Sequence, residues 1–586
     1  MGDRAALFAL HRPSFTLNRN PNPAIVTQDA ARSLPRWTLL LLCLAYVVPG
    51  YVGREPWKNA DIAAFGVMQE LLDASGWQSW LQPTLMGLPA DPNAPLAYWL
   101  GAAAMWLAPQ AVAPDFAARI PFGLMLAGTL IATWYAVYHL ARRPSAQPVA
   151  FAFGGEATPR DYARALADGG LLALIATLGL AQLSHETTPA LAQLFFASLV
   201  FYALAALPRH VRAASVALIA GLPGLALSGA PVTALLYGAL SLVALLWPSR
   251  ATTLKGGARW LATAALLVGL LLAAGSTVAL DLLGSNGPTW RTGAGNWRAL
   301  ARLFLWFTWP VWPFVLWTLW RWRHHLRGLR EHPHLGLPLV MAGVPVLHAV
   351  LTTAGDRVLL LALPSLAALA AFALPTFQRS MSALIDWFTV LFFTAWAITI
   401  WVVWIAMETG VPAKPAANVA RLAPGFEPVF QWPAFVAALL GSLAWIALAR
   451  WRTGRHRTAL WKSMVLPAAG ATLCWGLLMT LWLPALDYGR AYAPQMREVQ
   501  RTIGAPTCVE VHGLSPAQVA AVRFHGGWNP VPARSLGSCP WLLVDVDAMA
   551  SLQATVQMNH WRAVTQVRRP TDGQDTLLLL KRISPP

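Results

Sequence analysis

Residues 53–99 read GREPWKNADIAAFGVMQELLDASGWQSWLQPTLMGLPADPNAPLAYW and follow the first long apolar segment. The rest of the chain is largely apolar, yet this stretch carries Arg54, Glu55, Lys58, Asp61, Glu70, Asp73 and Asp91. A charged loop of that length on one face of a membrane protein has work beyond connecting two spans. Residues 61–72 have helical spacing, with Ile62, Phe65 and Met68 on adjoining turns and Glu70 and Asp73 turned away. The spacing predicts an amphipathic helix along the membrane surface, with Asp61 near its N-terminus. Trp57, Trp77, Trp80, Tyr98 and Trp99 are the expected anchors at headgroup depth.

Composition agrees with a membrane setting. Of 586 residues, 56% are hydrophobic and 12% charged, and the mean hydropathy is +0.49. Repeated apolar runs of about 20 residues make this an all-α polytopic membrane protein. Hydropathy places about 13 transmembrane helices, beginning at residues 37–52, 118–140, 170–183 and 190–207 and ending at 464–483. Residues 96–107 are too short to span and read as a re-entrant or interfacial helix. The net charge of +18 is concentrated in alternate loops, at Arg142 and Arg143, Arg160 and Arg164, Arg209 and Arg212, Arg250, Lys255 and Arg259, Arg321 to Arg330, and Arg450 to Lys462. That alternation is the positive-inside pattern, which sets topology and argues against a nucleic-acid partner.

The organisation expected is therefore a cytoplasmic N-terminal arm (1–36), a transmembrane domain (37–486) with a first external loop (53–117), and a tail (487–586). An odd span count puts that tail outside the cytoplasm. Residues 37–52 lack a small-residue cleavage pattern and read as a retained signal anchor. In the tail, residues 507–512, 541–546, 563–567 and 576–580 are strand-like and 515–523 helical, which predicts a small α/β extracytoplasmic domain. Cys43 and Cys474 sit in apolar spans as core residues. An extracytoplasmic tail predicts a disulfide between Cys508 and Cys539, stabilising by roughly 3–4 kcal/mol through loop entropy.

The first loop resembles the corresponding loop of the GT-C membrane glycosyltransferases, in the branch that holds the lipid A aminoarabinose transferase and the protein O-mannosyltransferases. That family reads W-x-x-D-E-x-R-Y, then G-D-W, P-x-x-x-G and E-K-P-P-L-x-Y-W. The counterparts are Trp57 and Asp61, Gly76 and Trp77, Pro83 and Gly87, and Pro95 to Trp99. Ile62 stands where the family has the second acid, and Asn93 where it has a lysine. The resemblance implies an integral membrane glycosyltransferase of a bacterial inner membrane, with its N-terminus cytoplasmic and its C-terminus periplasmic. It would move a sugar from a polyprenyl-phosphate-linked donor to a lipid, glycan or protein acceptor on the periplasmic side, as in lipopolysaccharide modification. Some members use a divalent metal ion, for which no ligand set stands out here.

Transfer from a lipid phosphate requires a base to deprotonate or orient the acceptor and an electropositive site for the departing phosphate. Asp61 is the first candidate catalytic carboxylate, acting on the acceptor, and Glu186 is a second, supporting one. Arg357, in residues 355–364 (GDRVLLLALP), resembles the family's R-Y-x-L-P stretch, whose arginine faces the lipid phosphate. Its guanidinium fork suits that anion. His185 and Tyr98 are candidate substrate contacts, and Lys58 or Arg54 would replace the missing lysine. His324, His325, His332 and His334 lie on the basic inner side and read as structural. The competing readings are a transporter or flippase of polyprenyl-linked glycans and a non-catalytic relative. Transporters commonly show internal repeats and mid-membrane charges, and neither stands out in this sequence.

Overall fold

Helix length divides the membrane part into two populations. The computed structural model describes residues 22–583 apart from 75, 248–253, 255, 284–296, 354, 454–458 and 535–538. The arm up to residue 21 and Arg250, Lys255, Trp290 and Arg291 lie outside the described residues. Six described helices are long and apolar enough to cross a bilayer: Pro114–Ala141, Pro189–Ala206, Gly257–Ala279, Pro333–Leu351, Arg379–Thr409 and Trp432–Arg452. Two bent pairs, Trp297–Phe307 with Val311–Arg321 (88°) and Lys462–Leu478 with Leu483–Arg490 (68°), raise the number to eight if each is one span. The protein is thus a multi-pass membrane protein, and the expected 13 spans are not confirmed among the described residues.

The shortfall has identifiable causes. Four further apolar helices, Arg36–Val47, Val211–Leu227, Pro231–Leu246 and Leu363–Thr376, have only 10–17 residues. At 1.5 Å per residue, twelve residues reach about 18 Å, against a hydrocarbon core of about 30 Å. The segment at 170–183 is the end of helix Pro159–Ala176 followed by Leu178–Leu183, and the first half of that helix carries Arg160, Asp161, Arg164 and Asp168. From Ala165 to Ala176 every residue is buried, so this is a central packing helix. Apolar runs thus marked burial in protein as well as in lipid. The Trp-rich stretch breaks at Thr308–Pro310 into the 88° pair.

Close helix approach depends on small residues. A methyl at Gly269 would sit 2.9 Å from the carbonyl oxygen of Leu218, so helix Gly257–Ala279 reaches helix Val211–Leu227 backbone to backbone. The described part of the N-terminal arm is not free: Ala24, Val26 and Ala31 are fully buried or nearly so. The Leu34 amide donates to Asp168 Oδ2 at 2.9 Å, and the Trp461 indole donates to the Arg32 carbonyl at 2.6 Å.

Seven strands are described. A two-residue hairpin pairs β1 (Thr84–Leu85) with β2 (Leu88–Pro89). The tail contains β3 (Val509–His512), β4 (Pro530–Pro532), β5 (Trp541–Asp545), β6 (Trp561–Arg569) and β7 (Asp572–Arg582) in one sheet of order β4-β3-β5-β7-β6. β3 runs parallel to β4 and β5, whereas β7 is antiparallel to β5 and β6. Two flanking prolines hid β4 from strand reasoning, and its edge position is what tolerates them. Cys508 and Cys539 form a disulfide with a Cα–Cα distance of 5.4 Å.

Helix Ala60–Asp73 lies between this tail and the membrane helices. Its buried residues are Asp61, Ile62, Ala64, Phe65, Gly66, Val67, Met68 and Leu71, too many for one face on water. Phe65 meets Phe524 edge to face at 4.9 Å. A methyl on Gly66 would fall 2.5 Å from the Ala520 Cβ on helix Pro516–Phe524. The expected surface helix is therefore a clamped one.

Candidate active site

Three turns on the same side of the membrane part bring the sequence-distant charges together. The first precedes helix Ala60–Asp73, where Asn59 adopts a φ of 68° at the N-cap. That turn directs Asp61 inward, where it is 2% exposed. Asp61 Oδ2 accepts from Arg54 Nη2 at 2.7 Å and from the Trp57 amide at 3.0 Å. Its Oδ1 accepts from the Thr187 amide at 2.7 Å. Arg54 is itself buried and lies 4.6 Å above the Trp57 ring, with Arg490 at 4.8 Å from the same ring. Trp57, expected at headgroup depth, is thus a buried partner of two guanidiniums.

The second turn, residues 184–188, joins Leu178–Leu183 to Pro189–Ala206. Thr187 reaches Asp61, and the neighbouring Glu186 reaches Arg357 at 2.9 Å. Glu186 also accepts from Gln182 Nε2 at 3.1 Å. The third turn passes Gly355, whose φ of 69° favours glycine, and starts helix Asp356–Leu360. From there Arg357 Nη1 donates to Thr188 Oγ1 at 3.3 Å, while a third of its side chain stays exposed.

Burial raises the Glu186 carboxyl above its ordinary range, and the Arg357 charge only partly offsets that. The His185 ring is fully buried, and desolvation pushes it down to about 4. Its Nε2 faces the Tyr46 carbonyl at 3.0 Å and its Nδ1 the Ala181 carbonyl at 2.5 Å and the Ser184 hydroxyl at 3.3 Å, so the neutral ring, with one N–H, donates to only one of the two carbonyls. Tyr46, Tyr51 and Trp475 enclose it.

A cavity of about 730 Å³ opens beside these turns, between the membrane helices and the tail. Arg357 and Tyr98 line it; Asp61, Glu186, Arg54, Lys58 and His185 do not. Tyr98 is held by its hydroxyl, which donates to the Pro92 carbonyl at 3.0 Å. Lys58, expected to replace the missing lysine, pairs with Asp572 Oδ2 of the tail at 3.0 Å. Arg54, the other expected replacement, is held by Asp61 and the Trp57 ring, while its Nε and Nη1 are buried without a hydrogen-bond partner. His185, packed among aromatic rings, is a core histidine at this turn. Asn93 Nδ2 donates to the Leu280 carbonyl at 3.2 Å.

Sequence reasoning missed Asp91, Gln193, His348 and His512, which also line the cavity. Only folding brings them together, and none carries a local motif. A divalent cation fits poorly: both carboxylates at the turns are already neutralised by arginines, and among the described residues no group of three or more His, Cys, Asp or Glu could hold a metal.

This arrangement belongs to a polytopic membrane protein whose fold has solved counterparts. The structure is similar in fold, over most of its length, to solved structures of ArnT. ArnT from Cupriavidus metallidurans bound to undecaprenyl phosphate superposes with a TM-score of 0.57 and 15% identity, covering 94% of this chain and 98% of that one. Its apo form gives 0.56 and 13%, covering 93% and 97%. No protein-family model matches the sequence, and no curated protein matches it.

Proposed function

We propose that the chain is an integral membrane glycosyltransferase that moves a sugar from a polyprenyl-phosphate donor to an acceptor on the side of residues 53–117. The acceptor is a lipid, glycan or protein, and the tail 487–586 lies on that same, periplasmic, side of a bacterial inner membrane. The observation that carries the reading is Arg357, which reaches into the cavity and is paired with a carboxylate that a stronger anion can displace. The relative bound to undecaprenyl phosphate supports a polyprenyl-phosphate partner. The flippase reading lacks such an observation.

In this reading the donor phosphate takes the guanidinium of Arg357 in bidentate form. Glu186 loses its partner and keeps its buried setting, which makes it a stronger base. As the bond between the sugar's anomeric carbon and the phosphate oxygen breaks, the acceptor heteroatom bonds to that carbon from the opposite face. The acceptor proton passes to Glu186, and the released polyprenyl phosphate carries its charge away against Arg357. Asp61 is a positioning residue that ties the loop at 54–57 to the turn holding Glu186. Its place in the family-like motif supports the alternative in which it acts directly on the acceptor. Turnover of purified Glu186→Gln and Asp61→Asn, each with a thermal melt, distinguishes the two. Loss of turnover at unchanged stability in Asp61→Asn alone would assign the base to Asp61.

A further inference from the structure

Helix Pro114–Ala141 has 28 residues, about 42 Å of rise. Its first turns pack at Gly123 against Tyr51, whose hydroxyl donates to the Ser184 carbonyl at 2.6 Å, so its C-terminus lies at the opposite face of the membrane part. There Arg142, Arg143 and Arg209 come together, and among the described residues none of the three has a carboxylate partner.

Two of them have structural work. Arg209 donates to the carbonyls of Arg142 (2.5 Å) and His139 (3.5 Å), capping the end of the helix. Arg142 donates to the Tyr138 hydroxyl at 3.0 Å. Arg143 has no equivalent. It is 6% exposed, makes one long bond from Nη2 to the Ala205 carbonyl at 3.4 Å, and, like Arg142, leaves Nε buried without a partner. A guanidinium has five N–H donors, and a buried one without an anion is costly. Burial, and then the Arg209 charge, pushes its pKa down to about 10.

Arg143 also ends a cleft of about 360 Å³ whose walls are apolar, among them Leu204, Leu207, Leu240 and Leu245. Arg330, lying 4.8 Å over the Trp247 ring, marks another point on the rim. We propose that this cleft binds an anionic phospholipid of the leaflet on that face, its headgroup phosphate on Arg143 and an acyl chain along the leucines. Charge selects the headgroup, since Arg143, buried at the end of the cleft without a carboxylate partner, calls for an anion. The continuous apolar wall selects a lipid over free phosphate. Basic pockets between membrane helices are suited to such headgroups. The site is separate from the Arg357 cavity and does not depend on the proposed reaction.

The test is native mass spectrometry of the delipidated full-length protein with dioleoyl phosphatidylglycerol or dioleoyl phosphatidylcholine, alongside inorganic phosphate. We expect phosphatidylglycerol to bind at least tenfold more tightly than phosphatidylcholine. Arg143→Gln should weaken it about fivefold or more, by the loss of one charge contact. Leu240→Trp, at a half-exposed position, should fill the cleft and weaken the lipid while leaving the cations in place. Equal binding of the two lipids by the wild type would overturn the proposal, and so would unchanged affinity in Leu240→Trp. Inorganic phosphate displacing the lipid at equal concentration would reduce the site to one that reads a free anion.

Discussion

Two buried arginine–carboxylate pairs lie one residue apart across the turn at 186–187, and they differ in what surrounds them. Arg54 and Asp61 are sealed, at 0% and 2% side-chain exposure. Both Asp61 oxygens are occupied, and Arg54 is covered by Trp57. Glu186 is almost as buried, at 8%, but its partner Arg357 is 35% exposed and faces the cavity. A sealed pair gains little from any ligand, because nothing can replace either member. A pair with one member open can exchange its carboxylate for a substrate phosphate. In the proposed function the same two residue types therefore hold structure in one place and take a ligand in the next.

The largest effect is expected at the sealed pair. Arg54→Gln leaves Asp61 buried with its charge uncompensated, which costs about 3–5 kcal/mol. The melting temperature in detergent should fall strongly, and the double variant Arg54→Gln with Asp61→Asn should recover part of the loss. An additive double variant would mean the two residues are not coupled, and the sealed pair would not be a structural unit.

Next comes Glu186. If it is the base, Glu186→Gln should lower turnover about 10²–10⁴-fold with little change in melting. The pH dependence has a definite sign. Burial raises the Glu186 pKa above the ordinary 4.5, so activity should fall as pH drops through a value above 4.5. Donor phosphate on Arg357 removes the charge that offsets this rise, so the acid limb of kcat should lie at higher pH than that of kcat/KM. Limbs that coincide, or that persist in Glu186→Gln, would assign the titration elsewhere.

The smallest effect is expected at Lys58. It pairs with Asp572 at about one-third exposure, so Lys58→Met should cost within about 1 kcal/mol of stability. Its donor affinity should be unchanged. A large rise in KM for the lipid donor would bring Lys58 back to the phosphate.

Much of the fold was legible because periodicity and burial act locally. The helix at 61–72, the short helix at 96–107 and four of the five tail strands follow from spacing alone, and the structure has them at Ala60–Asp73, Pro95–Leu107 and β3, β5, β6 and β7. The span count of 13 is not confirmed, because helices such as Arg36–Val47 and Pro231–Leu246 are apolar but shorter than a full crossing. At the site, the sequence singled out Asp61, Glu186, Arg54 and Arg357, and folding brings these four into two adjoining pairs. Their division of labour was hidden, since which arginine meets the cavity depends on Gly355 and on the tail covering helix Ala60–Asp73. His512 belongs to the cavity only because β3 ends there, more than 400 positions from Asp61 in the chain.

The central claim is that Arg357 holds the donor phosphate. Its most direct test is the affinity of purified Arg357→Lys and wild type for undecaprenyl phosphate in detergent, with melting temperatures measured on the same samples. One point charge cannot reproduce the guanidinium fork, so affinity should fall about tenfold or more while melting stays within a few degrees of wild type. Wild-type affinity in Arg357→Lys and also in Arg357→Gln would contradict the claim and leave Arg357 as a partner of Glu186 alone.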